Sequence, residues 1–217
     1  MSDVSVHDAI FTTRAMRRLK PNPVPVADLE YVVEAATMAP SAGNFQFWGF
    51  VVVTDPEVRR RIGRAHREAG RAYIRDGMLT QPGLPDDVRR VYTRSMHTVE
   101  HLGDAPAIIV PCLVIPVPDD TDQASGIFGS IYPAIQNLIL AARSRGLGTT
   151  LVTLASSFSP IHPKDTDPID EILGLPGGVS AVALIPIGYP EGCWGRPRRR
   201  PAAEVTYWDR WGRGSSR

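Results

Sequence analysis

Apolar positions along this chain switch between helical and strand period. Leu29, Val32, Val33 and Ala36 lie three and four apart and predict a helix ending near Met38. Residues 50–53 are a short β-branched run closed by Thr54-Asp55-Pro56, the pattern of a buried strand. Pro56 stands where a helix N-terminus is expected, and 59–71 reads as a polar, basic helix. Residues 107–115 predict a second buried strand. Over 133–145 apolar residues (Ile135, Leu138, Ile139, Leu140, Ala141, Ala142) occupy nearly every side of a helix that Gly146 closes. Such a helix must be covered all round, and a subunit interface is one cover. Residues 149–154 and 179–187 predict two further strands, separated by a helix ending at Gly174. Strands and helices are scattered rather than strictly alternating, which predicts an α+β fold: a mixed central sheet with helices on both faces.

Two stretches resist this reading. From 76 to 103 the periodicity weakens, broken by Gly77, Pro82, Gly83 and Pro85. An irregular segment of that length reads as a lid or excursion, spanning about 66–103. The tail, 204–217, reads as an edge strand or an arm laid across a partner. At the other end, Val6, Ile10 and Phe11 predict a short first helix that delivers Arg14 and Arg17 at its C-terminal end.

Composition narrows the classes. A chain of 217 residues, 43% hydrophobic and 22% charged, has the balance of a soluble globular domain and buries about 70% of its unfolded surface. It is read as one domain over 1–217. A net charge of +1 gives no reason to propose nucleic acid or a membrane as partner. The two cysteines form no CxxC pattern: Cys112 reads as a small buried hydrophobe and Cys193, in a Gly-rich turn, as exposed. No disulfide framework or signal peptide is expected, which suits the cytoplasm. The five histidines are scattered. His97 and His101 are one helical turn apart, but no carboxylate or thiol at fitting spacing completes a metal site, and no nucleophile has its base.

The chemistry concentrates in Pro40-Ser41-Ala42-Gly43-Asn44-Phe45-Gln46-Phe47-Trp48. A hydroxyl, an open backbone and two carboxamides there can meet a flat ligand with polar edges, although Ser, Gly and Asn are also ordinary turn residues. Trp48 reads as a core aromatic. Arg14-Ala15-Met16-Arg17-Arg18 precedes a proline-rich step, and Arg196-Pro197-Arg198-Arg199-Arg200-Pro201 closes the chain. Gly146-Leu147-Gly148-Thr149-Thr150 and Ile187-Gly188-Tyr189-Pro190 lie between them. In this order, over about 11–211, the layout resembles the nitroreductase-like family of FMN-dependent oxidoreductases. Ala15 stands where the family has Ser, and Phe47 where its loop has Pro.

The resemblance implies a nitroreductase-like three-layer fold, non-covalent FMN, NADH or NADPH as reductant, nitroaromatics, quinones or similar small electrophiles as substrates, and a homodimer whose active sites draw on both chains. Motif position assigns Arg14, Ala15, Met16, Arg17 and Arg199 to the flavin phosphate, with Arg198 and Arg200 as rivals to Arg199. Guanidinium forks suit a phosphate dianion, although most arginines are solvated surface charges. Ser41 and Asn44 are assigned to the ribityl chain or pyrimidine edge, and Val152 and Thr153 to the reactive edge of the ring. No side-chain catalyst is expected, because the cofactor carries the redox step. The alternatives are a flavin-holding or redox-sensing protein without turnover, a flavin-consuming branch, and a dehalogenating branch, for which Glu68, Tyr73 and Arg94 are the counterparts.

Overall fold

The computed structural model describes residues 4–117 and 121–213, with backbone alone for 121–123. The helices are α1 (Val6–Thr12), α2 (Val26–Thr37), α3 (Pro56–Gly70), α4 (Asp86–His101), α5 (Thr121–Ser144) and α6 (Ile169–Leu173). The strands are β1 (Trp48–Val53), β2 (Ala107–Leu113), β3 (Gly148–Thr149), β4 (Ser180–Ala181) and β5 (Ile185–Gly188). They form a sheet in the order β1-β2-β5-β3, with β4 also on β2, and every described ladder is antiparallel.

The central strand β2 explains the three layers. Its residues are all buried, and side chains alternate between faces. Ala107, Ile109 and Leu113 point into one core, with Val32 and Ala36 of α2 and Ile131, Ile135 and Leu138 of α5. Ile108, Val110 and Cys112 point into the other, with Ile62 and Ala65 of α3 and Ile169 of α6. Helices therefore cover both faces, as expected. Burial pushes the Cys112 thiol up to about 12, with Asp170 adding to the effect, so it is an inert hydrophobe.

The start of α3 and the stop of α5 fall where the sequence places them. The Asp55 carboxylate accepts from the N–H groups of Glu57 (2.8 Å) and Val58 (2.9 Å), and Pro56 follows it at the start of α3. Past α5, Gly146 adopts φ 72°, and the Leu147 N–H reaches the carbonyl of Ala142 at 2.8 Å, closing the helix.

Four expectations are corrected, and of the two readings of the tail the edge strand is not formed among the described residues. The stretch 76–103 is not irregular: α4 occupies 16 residues of it, burying Val99 and half-burying Val88, Tyr92 and Met96 at helical spacing. The helix expected over 133–145 begins at Thr121 and runs through Pro133. A proline inside a helix costs about 3 kcal/mol; burial of Ile131, Ala134, Ile135 and Leu138 in the core offsets it. The strand expected over 149–154 pairs only at 148–149, after which Val152 makes one bridge to Leu184. The strand expected over 179–187 is broken, because residues 182–184 oppose only 110–111 on β2. Pro111 has no N–H to donate, so the partner strand bulges there, keeping only the bond from the Val182 N–H to the Pro111 carbonyl at 2.8 Å. The tail pairs with no strand over its described residues; it makes the turn Ala202–Glu204 and leaves Trp208 and Trp211 exposed, Trp211 at 89%. Residues 214–217 of the expected arm lie outside the described residues.

Candidate functional site

Where α1 ends, the chain is laid across the edge of the sheet. The Met16 N–H donates to the Thr149 carbonyl (2.9 Å), Lys20 N–H to the Tyr189 carbonyl (2.8 Å) and Glu191 N–H to the Arg18 carbonyl (3.1 Å). The approach is close: a Cβ on Gly148 would stand 2.8 Å from Met16 Cβ and 3.1 Å from Pro190 Cβ. Glycine there is what allows residues 14–18 to lie against β3. Met16 is buried and its amide is committed, so its role is to seat the segment.

This seating arranges the arginines. Arg14 donates to the Cys193 carbonyl at 2.7 Å and lines two clefts. One, of about 780 Å³, also takes in Thr13, Ala15, Gln136, Thr149, Leu151 and Arg199. The other, of about 580 Å³, holds Ala15, Met16, Arg17, Arg18 and Arg94. Among the described residues, no acidic one lines either cleft. Among the described residues, none of Arg14, Arg17, Arg94 and Arg199 has a carboxylate within 4.0 Å. Burial and then the neighbouring Arg94 charge hold Arg17 below the usual guanidinium range. Arginine stays charged regardless, so the shift marks an uncompensated cation that an anion would stabilise. The Oγ1 of Thr13, in the first cleft, is buried without a partner among the described residues.

The rivals to Arg199 separate on contacts. Arg200 is paired with Glu204 at 3.4 Å, and Arg198 does not line the cleft that holds Arg14. Arg199 does, with Nη1 on the Arg198 carbonyl at 3.0 Å.

Ser41 and Asn44 lie elsewhere. The loop 40–47 is held to α5 by a bond from the Ala42 N–H to Ser130 Oγ (3.0 Å), and Ser41 Oγ accepts from the Gln46 N–H (3.2 Å). Gly43, Asn44 and Gln46 all have φ between 53° and 56°, and Gln46 Nε2 bridges to the Asn44 side chain at 3.3 Å. Two non-glycine residues in the left-handed region make a preset, strained loop. On α5, Ser130 shares a face with Ala134 and with Asn137, whose amide donates to the Ala35 carbonyl on α2. The cleft is lined by Gln136 and Ile139, about half a helical turn round from that face. Within one chain, therefore, the loop and the arginine clefts sit on opposite sides of α5.

Val152 and Thr153 also lie outside both clefts. Val152 exchanges two backbone bonds with Leu184 (3.0 and 2.7 Å), and the Thr153 carbonyl accepts from Ser156. Thr149 and Leu151 line the cleft instead. Sequence reasoning passed over Thr13, Thr149 and Leu151; the adjacency of Thr13 to Arg14 was the available signal. Trp48 packs against the first core, as expected.

The dehalogenase counterparts do not converge. Glu68 is clamped by the backbone N–H groups of Lys164 and Asp165 and by Thr166 Oγ1 (3.0 Å). Its burial alone would raise the carboxyl, but these bonds outweigh it and hold it low. Tyr73 lies near Tyr92, whereas Arg94 lines a cleft with Arg17. The rings of His97 and His101 are tilted at 31° with centroids 4.6 Å apart, and His101 Nδ1 is 2.9 Å from Asp104.

Residues 10–189 match the Nitroreductase family, and the chain belongs to it. It is 26% identical over 216 residues to the NADH dehydrogenase of Thermus thermophilus, covering 92% of this chain and 94% of that protein. It is 23% identical over 186 residues to the iodotyrosine deiodinase of Thermotoga neapolitana, covering 86% and 89%. Among solved structures, oxidized iodotyrosine deiodinase bound to FMN and 3-iodo-L-tyrosine superposes with a TM-score of 0.70 at 21% identity, covering 91% of this chain and 96% of that one. Among the described residues no helix is long and apolar enough to cross a membrane.

Proposed function

We propose that this protein is an FMN-dependent oxidoreductase, working as a cytoplasmic homodimer, that uses NADH or NADPH to reduce a small electrophile such as a nitroaromatic or a quinone. The observation that supports it best is the set of Arg14, Arg17, Arg94 and Arg199 on adjoining clefts without a carboxylate partner. A phosphate dianion fits that donor set, and the orphaned Thr13 hydroxyl adds a donor at the same place. Bound FMN would supply the two-electron step, taking hydride from the nicotinamide and giving electrons to the second substrate.

The chain's own residues supply binding and orientation. Arg14, Arg17 and Arg199 hold the phosphate, with Arg14 aimed by the Cys193 carbonyl. Ala15 has no side chain beyond Cβ, so the cleft stays open above it and its neighbours make the polar contacts. Leu151, 43% exposed, is an apolar wall that excludes water once covered. Thr153, exposed next to Val152 and outside the clefts, would offer its hydroxyl only to a ligand that extends past Leu151. Ser41 and Asn44 reach the arginine cleft only from a second copy, since their own loop lies across α5 from it. Exposed Tyr132 and Gln136 and half-buried Ile139 and Leu140 on α5 are a surface for that copy. The engagement of Glu68 with 164–166 weighs against a dehalogenase using that carboxylate.

The test is direct. Purified protein is expected to be yellow, to release FMN on heating, to bleach anaerobically with NADPH or NADH, and to recolour with a nitroaromatic or quinone. Colourless protein that gains no thermal stability in excess FMN overturns the cofactor; bound FMN that no reduced nicotinamide bleaches favours the holding-protein alternative.

A further inference from the structure

A third cleft, of about 720 Å³, adjoins the proposed flavin cleft and shares Arg199, Arg200 and Pro201 with it. Asp87, Arg90, Val91 and Arg94 of α4 form one wall; Arg198, Arg199, Arg200, Pro201 and Glu204 of the C-terminal segment form the other. Five guanidinium groups thus meet two carboxylates, a local surplus of three positive charges on a chain whose net charge is +1. Arg200 is offset by Glu204. Among the described residues Arg90, Arg94, Arg198 and Arg199 have no carboxylate within 4.0 Å. Arg90 and Arg94 are one helical turn apart, a spacing at which like charges repel. The wall therefore bears a standing repulsion that a bound anion relieves.

We infer that this cleft recognises the 2′-phosphate of NADPH and makes the protein selective for NADPH over NADH. The inference rests on the flavoenzyme reading, because it concerns the reductant of that same site. The two reductants differ by one phosphomonoester on the adenosine ribose, and guanidinium forks are the groups that accommodate it. Val91, 56% exposed, and Pro201 offer apolar surface to a purine, and guanidinium planes stack on such rings. Asp87 and Glu204 would accept from ribose hydroxyl or adenine amino groups. Continuity with the flavin cleft through Arg199, Arg200 and Pro201 lets the reductant run from this cleft toward the bound flavin.

Calorimetric titration with 2′,5′-ADP and with 5′-AMP isolates the 2′-phosphate, because the ligands differ in that group alone. The purified full-length protein is expected to bind 2′,5′-ADP at least roughly tenfold more tightly than 5′-AMP. Arg90→Ser/Arg198→Ser is expected to erase that preference while leaving 5′-AMP affinity and flavin content unchanged, and the single Arg198→Ser to reduce it. Neither residue lines the two clefts assigned to FMN. Equal affinities for the two nucleotides, a preference that survives in the double variant, or displacement of 2′,5′-ADP by equimolar pyrophosphate each overturns the inference. The titration reads out whether or not the protein retains flavin, so failure here is distinguishable from failure of the flavoenzyme reading.

Discussion

The guanidinium of Arg17 is half-buried beside that of Arg94, in a cleft lined by no acidic residue among those described. Two like charges held together in a partly desolvated place cost free energy in the unliganded protein, and that cost is repaid when a dianion enters between them. Arg18, one residue on, is exposed and lines the same cleft.

The first prediction compares those neighbours. Arg17→Ala is expected to weaken FMN by about 10- to 150-fold, the loss of one charge-assisted contact of about 1.5–3 kcal/mol, and Arg18→Ala to have a smaller effect. Fluorescence titration of the apoprotein with FMN reads both; equal losses would move the phosphate away from Arg17.

Gly148→Ala should harm fold and site together. Its Cβ would meet Met16 Cβ at 2.8 Å and Leu19 Cδ2 at 3.3 Å, and overpacking of this kind costs about 1–3 kcal/mol. Thermal unfolding should fall by several degrees and FMN affinity should drop, because the arginine segment is displaced. An unchanged FMN affinity would mean that the arginines do not depend on this seat.

Subunit mixing tests the shared site. Arg17→Ala and Asn44→Ala homodimers should each bind FMN weakly. Mixed dimers should regain one high-affinity site for every two chains, since one of the two sites then takes its arginine and its loop from intact copies. No recovery on mixing would place both groups in one chain's own site.

Acid should weaken the fold through His66. Burial, with a smaller contribution from Arg67, lowers this fully buried imidazole to about 4, against an ordinary value near 6.5. Between those values the unfolded chain binds the proton and the folded one does not, so stability falls as pH drops from about 6.5 to about 4, by up to ~3 kcal/mol. Urea unfolding of wild type and His66→Gln at pH 7 and pH 4.5 measures it; the same pH slope in both would assign the loss to other groups.

Glu68→Ala should cost about 1–2 kcal/mol, because it frees the N–H groups of Lys164 and Asp165, yet leave FMN binding intact. Loss of flavin or of substrate turnover at unchanged stability would return Glu68 to the active site.

Several elements were legible from local pattern because their period is set by their own residues. The alternation of β2 between two cores, the Asp55–Pro56 start of α3 and the Gly146 stop of α5 all depend on groups within a few positions of one another. The misreadings have local causes as well. In α4 the breakers Gly77, Pro82, Gly83 and Pro85 lie just ahead of the helix, and its buried face of Val88, Tyr92, Met96 and Val99 is diluted by charged neighbours. Pro133 reads as a start because proline favours first turns, yet burial across α2 and the sheet outweighs its cost. Pro111 leaves no mark on the sequence of its partner strand, which nonetheless bulges opposite it.

The sequence by itself determined the inventory: an arginine motif near each end of the chain, a hydroxyl- and amide-bearing loop before β1, and a helix-covered sheet to hold them. Tertiary structure decided which of those groups meet. Whether an arginine is paired depends on segments more than 100 residues apart, as Arg14 and Cys193 are, and no local period encodes that distance. The same holds for the placing of Ser41 and Asn44 across α5 from Arg14 and Arg199, which a helix sets by its rotation of about 100° per residue and its packing on α2.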